Sequence, residues 1–105
     1  MAVIEILGAN EDQFDTIDLF DNEIVKLENV PYLSRLELLR KLHTLVLTDN
    51  IIVNLVEIEP LASLPKLQFL SLLDNNNTKK ANYRLYVINK LKSLWVLDFK
   101  KVKNK

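Results

Sequence analysis

Apolar residues recur along this chain at fixed distances from one another, and the arrangement comes back several times. Phe14, Ile17, Leu19 and Ile24 stand around Asn22 in the spacing LxxLxLxxNxL. The same spacing returns at Leu42, Leu45, Leu47, Asn50 and Ile52, and again at Leu67, Leu70, Leu72 and Asn75, with Asn77 in the last apolar place. Leu94, Leu97 and Phe99 make a fourth start, and the starts are separated by 28, 25 and 27 residues.

A period of that length with that internal spacing is the mark of leucine-rich repeats. Alternation of period two in LxL sends the leucines to one side of a short strand and the residues between them to the other. Each repeat therefore supplies one strand. Burying one such leucine is worth about 1.5–3 kcal/mol, so a lone repeat does not offset its ordering entropy and only the stack is stable. The expected fold is an α/β leucine-rich-repeat solenoid: a short right-handed arc with a parallel sheet on its concave side and a C-terminal cap. The whole of 1–105 reads as one domain, with repeats starting near 14, 42 and 67 and a cap over about 79–103.

The segments between strings carry apolar residues at looser spacing, among them Leu55, Ile58, Leu61 and Leu64, which suits irregular or helical returns punctuated by Pro31, Pro60 and Pro65. Residues 32–41 read as a longer outer helix, because the alternative register would bury Lys41. Asn22, Asn50 and Asn75 are expected to bond backbone groups where the chain leaves the strand. The run Asn75-Asn76-Asn77-Thr78 predicts a loose turn.

Fourteen basic and fourteen acidic residues cancel, but unevenly: 1–60 hold 12 acids and 4 bases, and 61–105 hold 2 acids and 10 bases. Such a dipolar chain orients charged partners, unless its charges are merely solvated faces. No cysteine is present, which points to a reducing compartment. Met1 to Asn10 lack the basic flank of a signal peptide, and no apolar run reaches membrane-spanning length, so no membrane is expected.

Little in the chain suggests chemistry. His43, the only histidine, has no nucleophile pattern near it. Asp15, Asp18 and Asp21 lack the spacing and glycine of a calcium loop, and Gly8 alone makes no phosphate cradle. Neither catalytic residues, metal, cofactor nor small-molecule substrate is expected. Instead the outward strand positions offer an apolar strip of Val46, Phe69, Leu73 and Trp95, with Asp18, Phe20, Asp21, Thr48, Asp49 and Ser71 around it. An amphipathic helix with basic residues would suit that surface, with Trp95 as the anchor, although Trp95 and Phe69 packed against the cap is the plainer alternative. Lys79, Lys80, Arg84, Lys100, Lys101 and Lys103 are candidates for auxiliary phosphate contact, against a plain solvated tail.

Tyr83 through Ile88, followed by Trp95-Val96-Leu97-Asp98-Phe99 and Val102, resembles the C-terminal cap of intracellular leucine-rich-repeat proteins. More narrowly, Val3 to Ala9, Asp12 to Asp15, Asp21 to Ile24 and Pro60 to Leu64 resemble the U2 small nuclear ribonucleoprotein A-prime family. The resemblance implies a nuclear, non-catalytic splicing adaptor whose concave sheet takes a helix of an RNA-recognition-motif partner of the B-double-prime kind, with U2 snRNA bound mainly through that partner. Set against the family, the chain is expected to be short of its N-terminal segment and of about one repeat between Leu36 and Leu42, leaving a first strand open to self-association. A different scaffold, phosphatase-binding or cytoskeletal, or a degenerate self-associating relative, would share the same fold.

Overall fold

The computed structural model describes residues 16–24 and 40–103. The strands are β1 (Thr16–Asp18), β2 (Thr44–Val46), β3 (Phe69–Ser71), β4 (Val96–Leu97) and β5 (Lys100–Lys101), and they form one sheet in the order β1-β2-β3-β4-β5. The first four run parallel. Thr16 faces Thr44, Thr44 faces Phe69 and Phe69 faces Val96, so partners in neighbouring strands are separated by 28, 25 and 27 residues. Those are the spacings of the sequence strings: the solenoid of leucine-rich repeats is set in register by its leucines, because a slip of one residue would turn every leucine out to water.

Leu45, Leu47, Leu70, Leu72 and Leu97 are all almost fully buried. On the outer side, Leu55–Ser63 is a 3-10 helix with Pro60 inside it. Three residues per turn is the period that brings Leu55, Ile58, Leu61 and Leu64 onto one face, and Ile58, Leu61 and Leu64 are buried in the same core as the strands. A second 3-10 helix, Asn76–Lys79, leads into the cap helix Tyr83–Lys90. Tyr86 on that helix donates its hydroxyl to Glu59, which ties the cap to the 3-10 helix Leu55–Ser63, and carries Lys90 of its own helix over its ring.

The strand exits share one geometry. Asp21, Asp49 and Asp74 have φ of 57°, 59° and 61°, a left-handed turn that aspartate tolerates better than most residues. The asparagine that follows closes the corner. Asn50 Oδ1 accepts the Ile24 N–H at 3.0 Å while its Nδ2 donates to the carbonyls of Leu19 and Leu47, and Asn75 repeats the arrangement with Ile52, Leu47 and Leu72. Among the described residues, Asn22 bonds within its own turn, at the Leu19 and Phe20 carbonyls.

Three points add to or correct the sequence reading. The fourth string adds a parallel strand, β4, beside β3 but not a further repeat: β4 turns back into β5 as an antiparallel hairpin, with Val96 opposite Lys101 and Leu97 opposite Lys100. Both turn residues, Asp98 and Phe99, have positive φ, as a two-residue hairpin loop requires. The run Asn75 to Thr78 is not loose either, since the Asn77 N–H reaches the Ile52 carbonyl and Thr78 bonds the Asn75 carbonyl through both its N–H and its hydroxyl. Lastly, Arg84 is no free cation. The expected outer helix over 32–41 lies outside the described residues except for Arg40 and Lys41, as do Phe14 and Asp15.

Candidate partner-binding face

The outward positions of the strands fall into rows across the sheet. Thr16, Thr44, Phe69 and Val96 form one row, and Asp18, Val46 and Ser71 the next. Backbone bonds from Asp21 N–H to the Thr48 carbonyl and from Asp49 N–H to the Leu73 carbonyl carry the register past the strands, so Phe20, Thr48 and Leu73 form a third. Of these, Phe20, Phe69 and Leu73 are exposed apolar side chains, and Val46 is half-buried.

Val46, Phe69, Val96 and Phe99 wall a hollow of about 80 Å³ floored by Leu45 and Leu70. Cofactor and small-molecule sites run to about 300–1,000 Å³. The hollow is therefore suited to an inserted apolar side chain. Phe99 was not legible as part of this face, because in sequence it occupies the place of an inward leucine; in the structure it stands at the hairpin tip, 76% exposed. A bulky residue at φ 65° is strained, and strain of this kind gathers at functional surfaces.

Trp95 lies elsewhere. It is 57% exposed and belongs to the row of His43 and Gln68, where its backbone N–H reaches the Gln68 carbonyl. It borders the face without lining the hollow. His43 packs its ring on Phe69 at a centroid distance of 5.0 Å, with Nε2 2.7 Å from Gln68 Oε1 and Nδ1 3.1 Å from Thr44 Oγ1. Both nitrogens are thus engaged, Nε2 across to the next repeat and Nδ1 within its own.

Two polar members of the expected site are already occupied. Ser71 is buried, with its Oγ 2.6 Å from Thr48 Oγ1, so it positions Thr48 and offers little surface of its own. Asp18 accepts the Phe20 N–H at 3.0 Å, bonding a backbone group on the outer side of β1. Asp21 and Asp49 remain exposed at the rim. Asp98, in the hairpin turn, accepts both the Leu72 N–H and the Tyr83 hydroxyl at 2.7 Å and pins the hairpin to the repeat before it.

The basic candidates divide in the same way. Arg84 donates Nη1 to the Leu97 carbonyl at 3.0 Å and Nη2 to those of Lys100 and Lys101 at 3.1 and 3.0 Å. That arrangement clamps the hairpin onto the cap helix and takes Arg84 out of the phosphate-binding set. Lys79, Lys80, Lys100, Lys101 and Lys103 are exposed.

Comparison with known proteins agrees with this architecture. The profile of the leucine-rich-repeat family matches residues 1–40 and 36–105. The chain is 69% identical over 121 aligned positions to the U2 small nuclear ribonucleoprotein A' of Arabidopsis thaliana and 47% identical to that of Homo sapiens, covering 98% of this chain in each case. It spans about half the length of these relatives, 49% and 48%. Alignments of 121 positions open gaps in a chain of 105 residues. The two profile matches overlap at 36–40, within the stretch where the resemblance to the family implies the loss of about one repeat. Among solved structures, the Drosophila melanogaster SNF/U2A' complex matches with TM-score 0.72 and 41% identity over 96% of this chain and 68% of that one. The Mex67 leucine-rich-repeat domain from Chaetomium thermophilum matches with TM-score 0.75 and 26% identity, over 86% and 59%.

Proposed function

The chain belongs to the leucine-rich-repeat family, and from its likeness to U2 small nuclear ribonucleoprotein A' proteins we propose that it is a non-catalytic adaptor serving pre-mRNA splicing in the nucleus. Its partner in this reading is an RNA-recognition-motif protein of the B-double-prime kind, and the structural relative seen in complex with SNF supports such pairing.

The observation that carries the reading is the hollow between Val46, Phe69, Val96 and Phe99 on an open sheet face. A partner helix laid across the face inserts one apolar side chain there and spreads its apolar stripe over Phe20 and Leu73, with Trp95 gripping its edge. Exposed Asp21 and Asp49 at the rim favour basic residues on the helix flanks, which speeds encounter and selects orientation. U2 snRNA is held mainly by the partner, and Lys79 and Lys80 add charge attraction that weakens with salt.

The test is calorimetric titration of the chain with a recombinant B-double-prime-type protein, with and without the snRNA hairpin. Val46→Glu and Phe99→Glu should each weaken the complex by a factor of about 100 or more, since each buries a charge in the hollow. Unchanged affinity in correctly folded variants rejects the face, and no binding by the parent chain rejects the partner.

A further inference from the structure

The cap carries a second surface that shares no residue with the hollow on the sheet. The cap helix and the hairpin diverge around a trough of about 730 Å³ whose lining includes Leu85, Ile88, Val102, Lys100, Lys101 and Lys103. Leu85 is 62% exposed, and Ile88, one turn further along the helix, is half-buried beside it. The floor is thus apolar. The rim is cationic, and no carboxylate stands among the described lining residues to balance it.

We infer that this trough docks an acidic amphipathic helix of a protein partner, its apolar stripe on Leu85, Ile88 and Val102 and its carboxylates against Lys100, Lys101 and Lys103. The charge alone would suit RNA equally, but three features favour a peptide. An apolar floor gains only from apolar side chains, which a phosphate backbone lacks. No aromatic ring lines the trough to stack a base. Arg84, whose forked guanidinium would otherwise grip phosphate, is turned onto the carbonyls of Leu97, Lys100 and Lys101. This proposal is independent of the sheet-face reading, since either surface works without the other.

The test is fluorescence anisotropy of the intact chain with a labelled helical peptide bearing leucine on one face and glutamate on the others. Two competitors accompany it: a peptide of the same composition scrambled to abolish the stripe, and a single-stranded RNA of equal charge. The striped peptide should bind at least about tenfold tighter than the scrambled one, and Leu85→Ser and Lys101→Glu should each reverse most of that gain while leaving the thermal midpoint unchanged. Equal binding of both peptides overturns the amphipathic assignment, tighter binding of RNA makes the trough a nucleic-acid surface, and no binding of the striped peptide ends the proposal.

Discussion

The side-chain amide of Asn75 donates to the carbonyl of Leu47 at 2.8 Å, so a residue at the exit of one strand completes the exit of the strand before it. The same amide accepts the Ile52 N–H and donates to the Leu72 carbonyl, and the whole group is buried. Replacing Asn75 by Ala strands these backbone groups away from water and should cost about 2–4 kcal/mol. Asn22, exposed and bonded among the described residues within its own turn, should cost less than about 1 kcal/mol. Urea unfolding followed by circular dichroism compares the two.

Asn77 should give the opposite sign. It occupies the last apolar place of its string and is fully buried, and its Nδ2 and Oδ1 have no hydrogen-bond partner among the described residues. Asn77→Leu removes the desolvation cost of those atoms and should raise stability by about 1–2 kcal/mol. A lowered urea midpoint would mean that the amide does structural work at this position.

Tyr83 makes the cap sensitive to alkali. Burial first, and then its hydrogen bond to Asp98, hold its hydroxyl well above the ordinary phenol value. Below about pH 10 the folded and unfolded chains both keep the proton and the contribution is fully present. Above it the unfolded chain loses the proton first, so stability falls as pH rises towards the folded value. Tyr83→Phe should lose about 1 kcal/mol at neutral pH and show a flatter decline above pH 10 in thermal melts.

Phe99 separates stability from binding. With glycine in its place the left-handed turn is unstrained, which should raise stability by about 1 kcal/mol. The hollow loses one wall at the same time, so affinity for a partner helix should fall. A variant with a higher thermal midpoint and unchanged affinity would remove Phe99 from the binding face.

Much of this was legible in the sequence, and the exceptions have physical reasons. The string starts fixed the strand register to the residue, because burial of Leu45, Leu70 and Leu97 allows no slip. The three-residue spacing from Leu55 to Leu64 already carried the 3-10 period, although it reads equally as a loose return. The hairpin at Asp98 and Phe99 was hidden, since Leu97-Asp98-Phe99 looks like Leu70-Ser71-Leu72. The one local signal is Lys100-Lys101 standing before a core position, and the bonds from Asp98 to Leu72 and Tyr83 that hold the turn come from distant repeats. Trp95 reads as the anchor because tryptophan on an exposed apolar strip is a favoured hot spot, but it lies in the row of Gln68 and does not line the hollow. Arg84 counted as charge in the sequence, and only its three carbonyl partners reveal a fastening.

The reversal after Leu97 also gives the stack a finished end. A further repeat has nowhere to join, because the hydrogen-bonding positions beside β4 are taken by the chain's own β5, a strand two residues long made of two exposed lysines. Short, charged margins of this kind resist pairing with other chains. Repeats added to such an array are therefore excluded from this end, where the hairpin already occupies the place the next strand would need.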